Sequence, residues 1–240
     1  MSASLLLLPG NMCDARLWAP VGRRLDAAGL RWTVADLASG QATIAAMASS
    51  ALAAAPARIT PVGVSMGAIG AVELWRQAPE RIEALGLIAL NAGADLPDRA
   101  AARPRQQADV RDGGLARVVG DELKPNYLAA SHRDDQALRA MTMAMAMALG
   151  ADSFVDQSEA LRTRPDLRPV LSTIDVPVLL ACGAEDRLCP PDWHHRWASE
   201  IGPRATLAVI ADAGHLLPLE QPDLLADRLI GWLHDIREHA

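Results

Sequence analysis

The chain has 240 residues, half of them apolar and 22% charged, with a formal net charge of -6. Its length supports a substantial core, and the acidic balance excludes electrostatic capture of nucleic acid or of an anionic membrane surface. Its three cysteines, Cys13, Cys182 and Cys189, form no C-x-x-C pair and argue against a disulfide framework or a zinc site.

Short apolar runs alternate with helix-like stretches along the chain. Ser4–Leu8 reads as a strand stopped by Pro9-Gly10. Its apolar run is too short for a signal peptide and lacks a basic flank. No run approaches the roughly 18 apolar residues of a membrane span, so the expected compartment is the cytoplasm. Asp14 caps a helix through Leu17, Val21, Leu25 and Ala28. Residues 31–37 form a second strand, and Thr43 to Ala55 an alanine-rich helix. A third strand, Ile59–Val64, precedes a helix over Met66 to Gln77, and "ALGLIALN" (84–91) is a fourth strand. The rhythm returns with strands at 176–183 and 205–212 and helices at Trp193–Ile201 and Pro222–Ile236.

Near-continuous apolar strands suit a parallel sheet covered on both faces. The expected fold is α/β: a doubly wound, mostly parallel sheet of about six strands with helices on both faces. Residues 95–173 break the rhythm with no clear strand and much Arg, Asp and Ala. They read as a helical insertion, since nearly 80 residues is too long for a simple loop. The core would then comprise 1–94 and 174–240.

"GVSMG", Gly63 to Gly67, matches the G-x-S-x-G nucleophile elbow. A strand that turns sharply into a helix lifts the serine hydroxyl to its crest and forces the serine backbone toward an unfavourable conformation. Side chains two residues away would collide, which calls for glycine there. The helix N-terminus supplies N–H groups for an oxyanion.

A serine nucleophile needs a base and an acid in the chain order Ser, Asp, His. Of six histidines, His132, His194, His195, His234 and His239 read as surface residues. His215 instead sits in "IADAGHLLPLEQP", just after the last strand, with Gly214 giving the loop freedom. After the preceding strand, "LLACGAEDRLCP" offers Asp186, with Glu185 as runner-up and Asp95 as a weaker substitute. Met66 supplies one oxyanion N–H, and Asn11, or failing that Met12, the other.

"LLLLPG", "GVSMGA", "LLACGAEDRLCPP" and "AGHLLPLEQP", in this order, resemble the α/β-hydrolase superfamily, and among its members the small bacterial esterase and enol-lactonase-like group. The resemblance implies a helical cap over the site and a carboxylic ester hydrolase with Ser65, Asp186 and His215 as catalytic residues. It implies a small-molecule ester or lactone substrate and no metal or organic cofactor. The run "MTMAMAMALG" reads as a buried cap helix packed on several sides; the alternative is that some of its methionines line an adaptable, aliphatic or flexible pocket, with Met12, Met141, Met145 and Leu216 as the expected substrate contacts. The same triad could instead serve C–C bond hydrolysis, acyl transfer or perhydrolysis, or the fold could serve as a non-enzymatic binding protein. The sequence assigns no oligomeric state. Pro61 removes a ladder donor from a central strand and predicts a bulge or local break near the elbow. Gly70 is expected to permit close packing of helix on sheet.

Overall fold

A computed structural model describes residues 4–37 and 40–238. Six strands, β1 (Ser4–Leu8), β2 (Trp32–Val34), β3 (Ile59–Val64), β4 (Leu85–Ile88), β5 (Val178–Gly183) and β6 (Ala205–Ile210), form one sheet in the order β2-β1-β3-β4-β5-β6. Every pairing is parallel. Two strands end sooner than their apolar runs suggest. Ala89 takes a left-handed φ of 51° just beyond β4, and Asp212 one of 54° beyond β6, which turns the chain out of the ladder.

The connecting helices are α1 (Ala19–Ala27), α2 (Ile44–Ala54) and α3 (Met66–Gln77), then, after β5, α8 (Pro191–Ile201), α9 (Leu217–Glu220) and α10 (Pro222–Glu238). Side chains alternate across the sheet. Leu6 and Leu8 of β1 pack in the layer of α2, α3 and α8, and Leu5 and Leu7 in the layer of α1 and α10. Asp14 caps a short 3-10 turn, Ala15–Leu17, that leads into α1, and Thr43 accepts the Ala46 N–H to start α2.

Between Ile88 and Val178 no strand lies among the described residues. The segment holds α4 (Pro97–Asp109), α5 (Leu115–Arg117), α6 (Gln136–Thr163) and α7 (Arg168–Leu171). α6 bends at Gly150, whose φ is 81°. Its methionine run is not packed on several sides: Met145 is fully buried, but Met141 is 40% and Met147 48% exposed. Met145 and Met147, two residues apart on the helix, point to nearly opposite faces, and the Met147 face is solvent.

The disturbance predicted at Pro61 falls on one side of β3 only. Pairing to β1 runs without interruption through Leu6↔Pro61. On the other side Ile59 pairs with Ile82 and Val62 with Gly86. Thr60 and Pro61 therefore stand opposite Glu83, Ala84 and Leu85, one residue more, which is a bulge on the β4 side. Ser65 N–H donates to Ile88 on β4, and alternation along the strand sends the nitrogen of Pro61 the same way. The missing donor thus meets the bulge.

Candidate active site

Ser65 follows β3 and caps α3 with φ 55° and ψ -112°, a strained conformation for a residue with a side chain. The flanking glycines make this turn possible. A Cβ on Gly63 would lie 2.1 Å from the Gly67 carbonyl oxygen, and one on Gly67 2.2 Å from that of Leu8. Gly70 has no such need, since its Cβ would meet only Leu8 Cδ2 at 3.5 Å, an ordinary contact. Ser65 lies beside β1, where the strand order reverses and ligands bind open α/β sheets.

The loops after β5 and β6 bring Asp186 and His215 together. His215 Nδ1 donates to Asp186 Oδ2 at 2.9 Å, and both residues are buried. The N–H groups of Leu188 and Cys189 donate to Asp186 Oδ1 at 2.8 and 2.9 Å. Burial pushes the Asp186 carboxyl up, but His215 and these two N–H groups outweigh it and hold the carboxyl below its ordinary range. An imidazole held this way presents Nε2 for a proton, and the carboxylate steadies the cation that results. Glu185 is exposed and accepts the Ala130 N–H, and Asp95 is paired with Arg103 and Arg164, so neither meets His215.

Ser65 and His215 line one cavity of about 500 Å³, together with Asn11. Met66 begins α3. Met12 is not available as an oxyanion donor, because its N–H goes to Gln157 Oε1 at 2.8 Å. Its side chain is fully buried among Val110, Leu115 and Val118 rather than in the cavity. The other expected substrate contacts do not line the cavity either. Met145 and Leu216 are buried in the layer of α1 and α10, and Met141 is exposed. The cavity lining is mixed: Ile69, Leu123 and Leu161 face it together with Arg99, Arg103 and Arg164.

Several supporting residues escaped the sequence. Gln157 of α6 accepts from Asn11 Nδ2 at 3.1 Å as well as from Met12, and its own amide donates to the Leu37 carbonyl at 2.8 Å. One side chain thereby fixes the loop after β1. The buried Glu220 accepts from Gly214, Leu216 and Ala129 N–H groups. Gly214 serves close approach rather than loop freedom, since a Cβ there would lie 2.6 Å from the Tyr127 carbonyl oxygen. The Tyr127 ring meets the His215 ring edge-on at 5.3 Å, and burial pushes its hydroxyl pKa up to about 12. His194 is fully buried, not a surface residue: its Nε2 accepts the Leu90 N–H at 3.0 Å, and Nδ1 faces the Pro190 carbonyl at 3.2 Å.

Asp186, Cys189 and His215 bring three candidate metal-ligating atoms within 4.8 Å of one another. An ion there would have to break the Asp186–His215 bond, and burial keeps the Cys189 thiol well above its ordinary pKa and so protonated. His234, Asp235 and Glu238 form an exposed group on α10. No helix among the described residues is long and apolar enough to cross a membrane.

A family model described as "Alpha/beta hydrolase family" matches residues 5–228. A pimeloyl-[acyl-carrier protein] methyl ester esterase from Pectobacterium carotovorum is 26% identical over 96% of this chain and 94% of its own. A thermophilic esterase from Thermogutta terrifontis superposes with a TM-score of 0.88 at 25% identity, covering 98% of this chain and 91% of the esterase. The enol-lactonase from Burkholderia xenovorans LB400 shares the fold with a TM-score of 0.83 at 23% identity, over 98% and 92% of the two chains.

Proposed function

The chain belongs to the alpha/beta hydrolase family, and from that premise we propose that it is a serine hydrolase cleaving a carboxylic ester or lactone through an acyl-enzyme on Ser65. One observation carries the reading: His215, bonded at 2.9 Å to the buried Asp186, lines the same cavity as a serine held in an elbow conformation.

In this reading His215 Nε2 takes the Ser65 proton as Oγ attacks the substrate carbonyl. The N–H groups of Met66, at the start of α3, and of Asn11 receive the oxyanion. His215 then gives its proton to the leaving oxygen, and in a second round activates the water that releases the acid. Asp186 fixes the tautomer throughout. Residues 95–173 act as the cap, because Arg99, Arg103, Leu161 and Arg164 of that segment close the cavity around Ser65. The methyl ester named for the Pectobacterium relative supports the ester class.

The test is a panel of p-nitrophenyl esters and lactones with wild type and Ser65→Ala, alongside fluorophosphonate labelling. Wild type should be labelled at Ser65 and turn over at least one substrate, and a folded Ser65→Ala protein should do neither. Full activity in Ser65→Ala sinks the proposal, and absence of label in folded wild type favours a binding protein.

A further inference from the structure

The cavity wall contributed by the insertion holds more buried positive charge than negative. Asp95 accepts from Arg103 Nε at 2.6 Å and from Arg164 Nη1 at 2.9 Å. All three side chains are buried, with 2% of Asp95, 12% of Arg103 and 3% of Arg164 exposed. One carboxylate cannot neutralise two guanidinium groups, and a buried surplus charge is costly unless something pairs with it. The remaining Arg164 bonds run to the carbonyls of Gly93, Ala94 and Leu161, so that side chain is tied down. Arg103 differs. Only its Nε and Nη2 bond to Asp95, which leaves both Nη1 hydrogens without a protein acceptor among the described residues.

Two further groups extend the pattern. Arg99, one turn before Arg103 on α4, lines the cavity with no carboxylate partner among the described residues and reaches the Leu188 carbonyl at 3.5 Å. Asn91 is buried on the same cavity, with its Oδ1 accepting from Gly93 and its Nδ2 left unpaired. The other acids do not cancel this charge. Glu122 is held by Arg105, Arg117 and Gln106, Asp186 is bonded to His215, and Asp98, though it lines the cavity, is exposed.

We infer that the substrate carries a free carboxylate in addition to the ester or lactone bond that is cut. Arg103 and Arg99 bind this carboxylate through N–H donors on the cavity wall. The specificity so created belongs to the cap side of the cavity and is separate from the chemistry at Ser65. It deepens the ester-hydrolase reading and rests on it for its kinetic arm only.

Two measurements test the inference. The kinetic arm compares monomethyl esters of dicarboxylic acids with methyl esters of monocarboxylic acids of equal chain length. It also compares acyl esters of hydroxy acids with those of simple alcohols. In at least one series the carboxylate-bearing ester should have the higher kcat/KM by about tenfold, the size expected of a charge-assisted hydrogen bond. Arg103→Gln or Arg99→Gln should erase most of that ratio. Arg103→Gln leaves Asp95 and Arg164 as a neutral pair, so the fold should stand. The binding arm measures thermal shifts of Ser65→Ala with adipate against hexanediol. Adipate should raise Tm and hexanediol should not, and the rise should vanish in the two arginine variants combined with Ser65→Ala. Equal stabilisation by the diol, or stabilisation that survives loss of both arginines, overturns the inference. Carboxylate binding with no hydrolysis of any ester leaves it standing and strikes the ester-hydrolase reading instead.

Discussion

The Glu220 carboxylate accepts the Gly214 N–H at 3.0 Å, one residue before His215, and the Leu216 N–H at 3.0 Å, one residue after it. The same carboxylate takes the Ala129 N–H at 2.7 Å, which binds the His215 loop to the insertion. His215 N–H adds a bond to the Tyr127 carbonyl at 2.7 Å. Glu220→Gln replaces one oxygen by an NH₂ group that must face a backbone donor. The expected cost is about 1–3 kcal/mol of stability, with a fall in kcat as the imidazole loses its fixed position. Chemical denaturation and steady-state kinetics on one p-nitrophenyl ester check both.

Asp186→Asn keeps an oxygen for Leu188 and Cys189 but turns an NH₂ toward His215. The imidazole must then accept at Nδ1 and carry its proton on Nε2, where it cannot take one from Ser65. Loss of kcat/KM by about four orders of magnitude is the expected result, with the fold retained. The pH sign follows from the lowered Asp186 pKa. Its contribution to stability is present above the ordinary carboxylate pKa and lost as pH falls through the lower folded value. The variant's acid limb of unfolding should be shallower than that of wild type.

The elbow glycines separate need from tolerance. Gly67→Ala drives a methyl group to 2.2 Å from the Leu8 carbonyl oxygen, and Gly63→Ala to 2.1 Å from that of Gly67. Backbone must move in both cases, so each variant should lose activity and more than about 3 kcal/mol of stability. Gly70→Ala, four residues along the same helix as Met66, meets only an ordinary contact and should gain about 0.5–1 kcal/mol from helix propensity. Thermal unfolding of the three variants side by side distinguishes the two classes.

The motif-bearing loops were legible because each follows a strand whose apolar run is unmistakable. "GVSMG", Asp186 and His215 fall at the ends of β3, β5 and β6, so chain order alone predicted their neighbourhood. The cavity wall was not legible. Arg99 and Arg103 stand a helical turn apart on α4, but Arg164 and Asp95 join them only once the insertion folds back, and no local pattern encodes that. The methionine run misled for a related reason. Its spacing of two residues draws attention, yet on a helix two residues reach nearly the opposite face, which puts Met145 in the core and Met147 in solvent. Gln157 and Glu220 escaped because a buried polar side chain bonded to distant backbone has no signature until the backbone is placed.

His194 gives the fold a pH dependence of its own. The Leu90 N–H donates to Nε2, which must therefore be unprotonated, and Nδ1–H is left to donate to the Pro190 carbonyl. The Leu90 bond requires the neutral ring, whereas the Pro190 bond survives protonation. Burial pushes its pKa down to about 4, while the unfolded chain titrates near the ordinary histidine value of about 6.5. Between these two pH values the unfolded state takes up a proton that the folded state refuses. Stability is therefore full above about pH 6.5 and falls as pH drops toward 4, by about 3 kcal/mol across the window. His194→Gln can still accept from Leu90, and it should be less stable than wild type at neutral pH while losing much less between pH 6.5 and 4. Urea unfolding at half-unit pH intervals reads the two slopes. Parallel slopes for wild type and variant would show that His194 is not the group responsible.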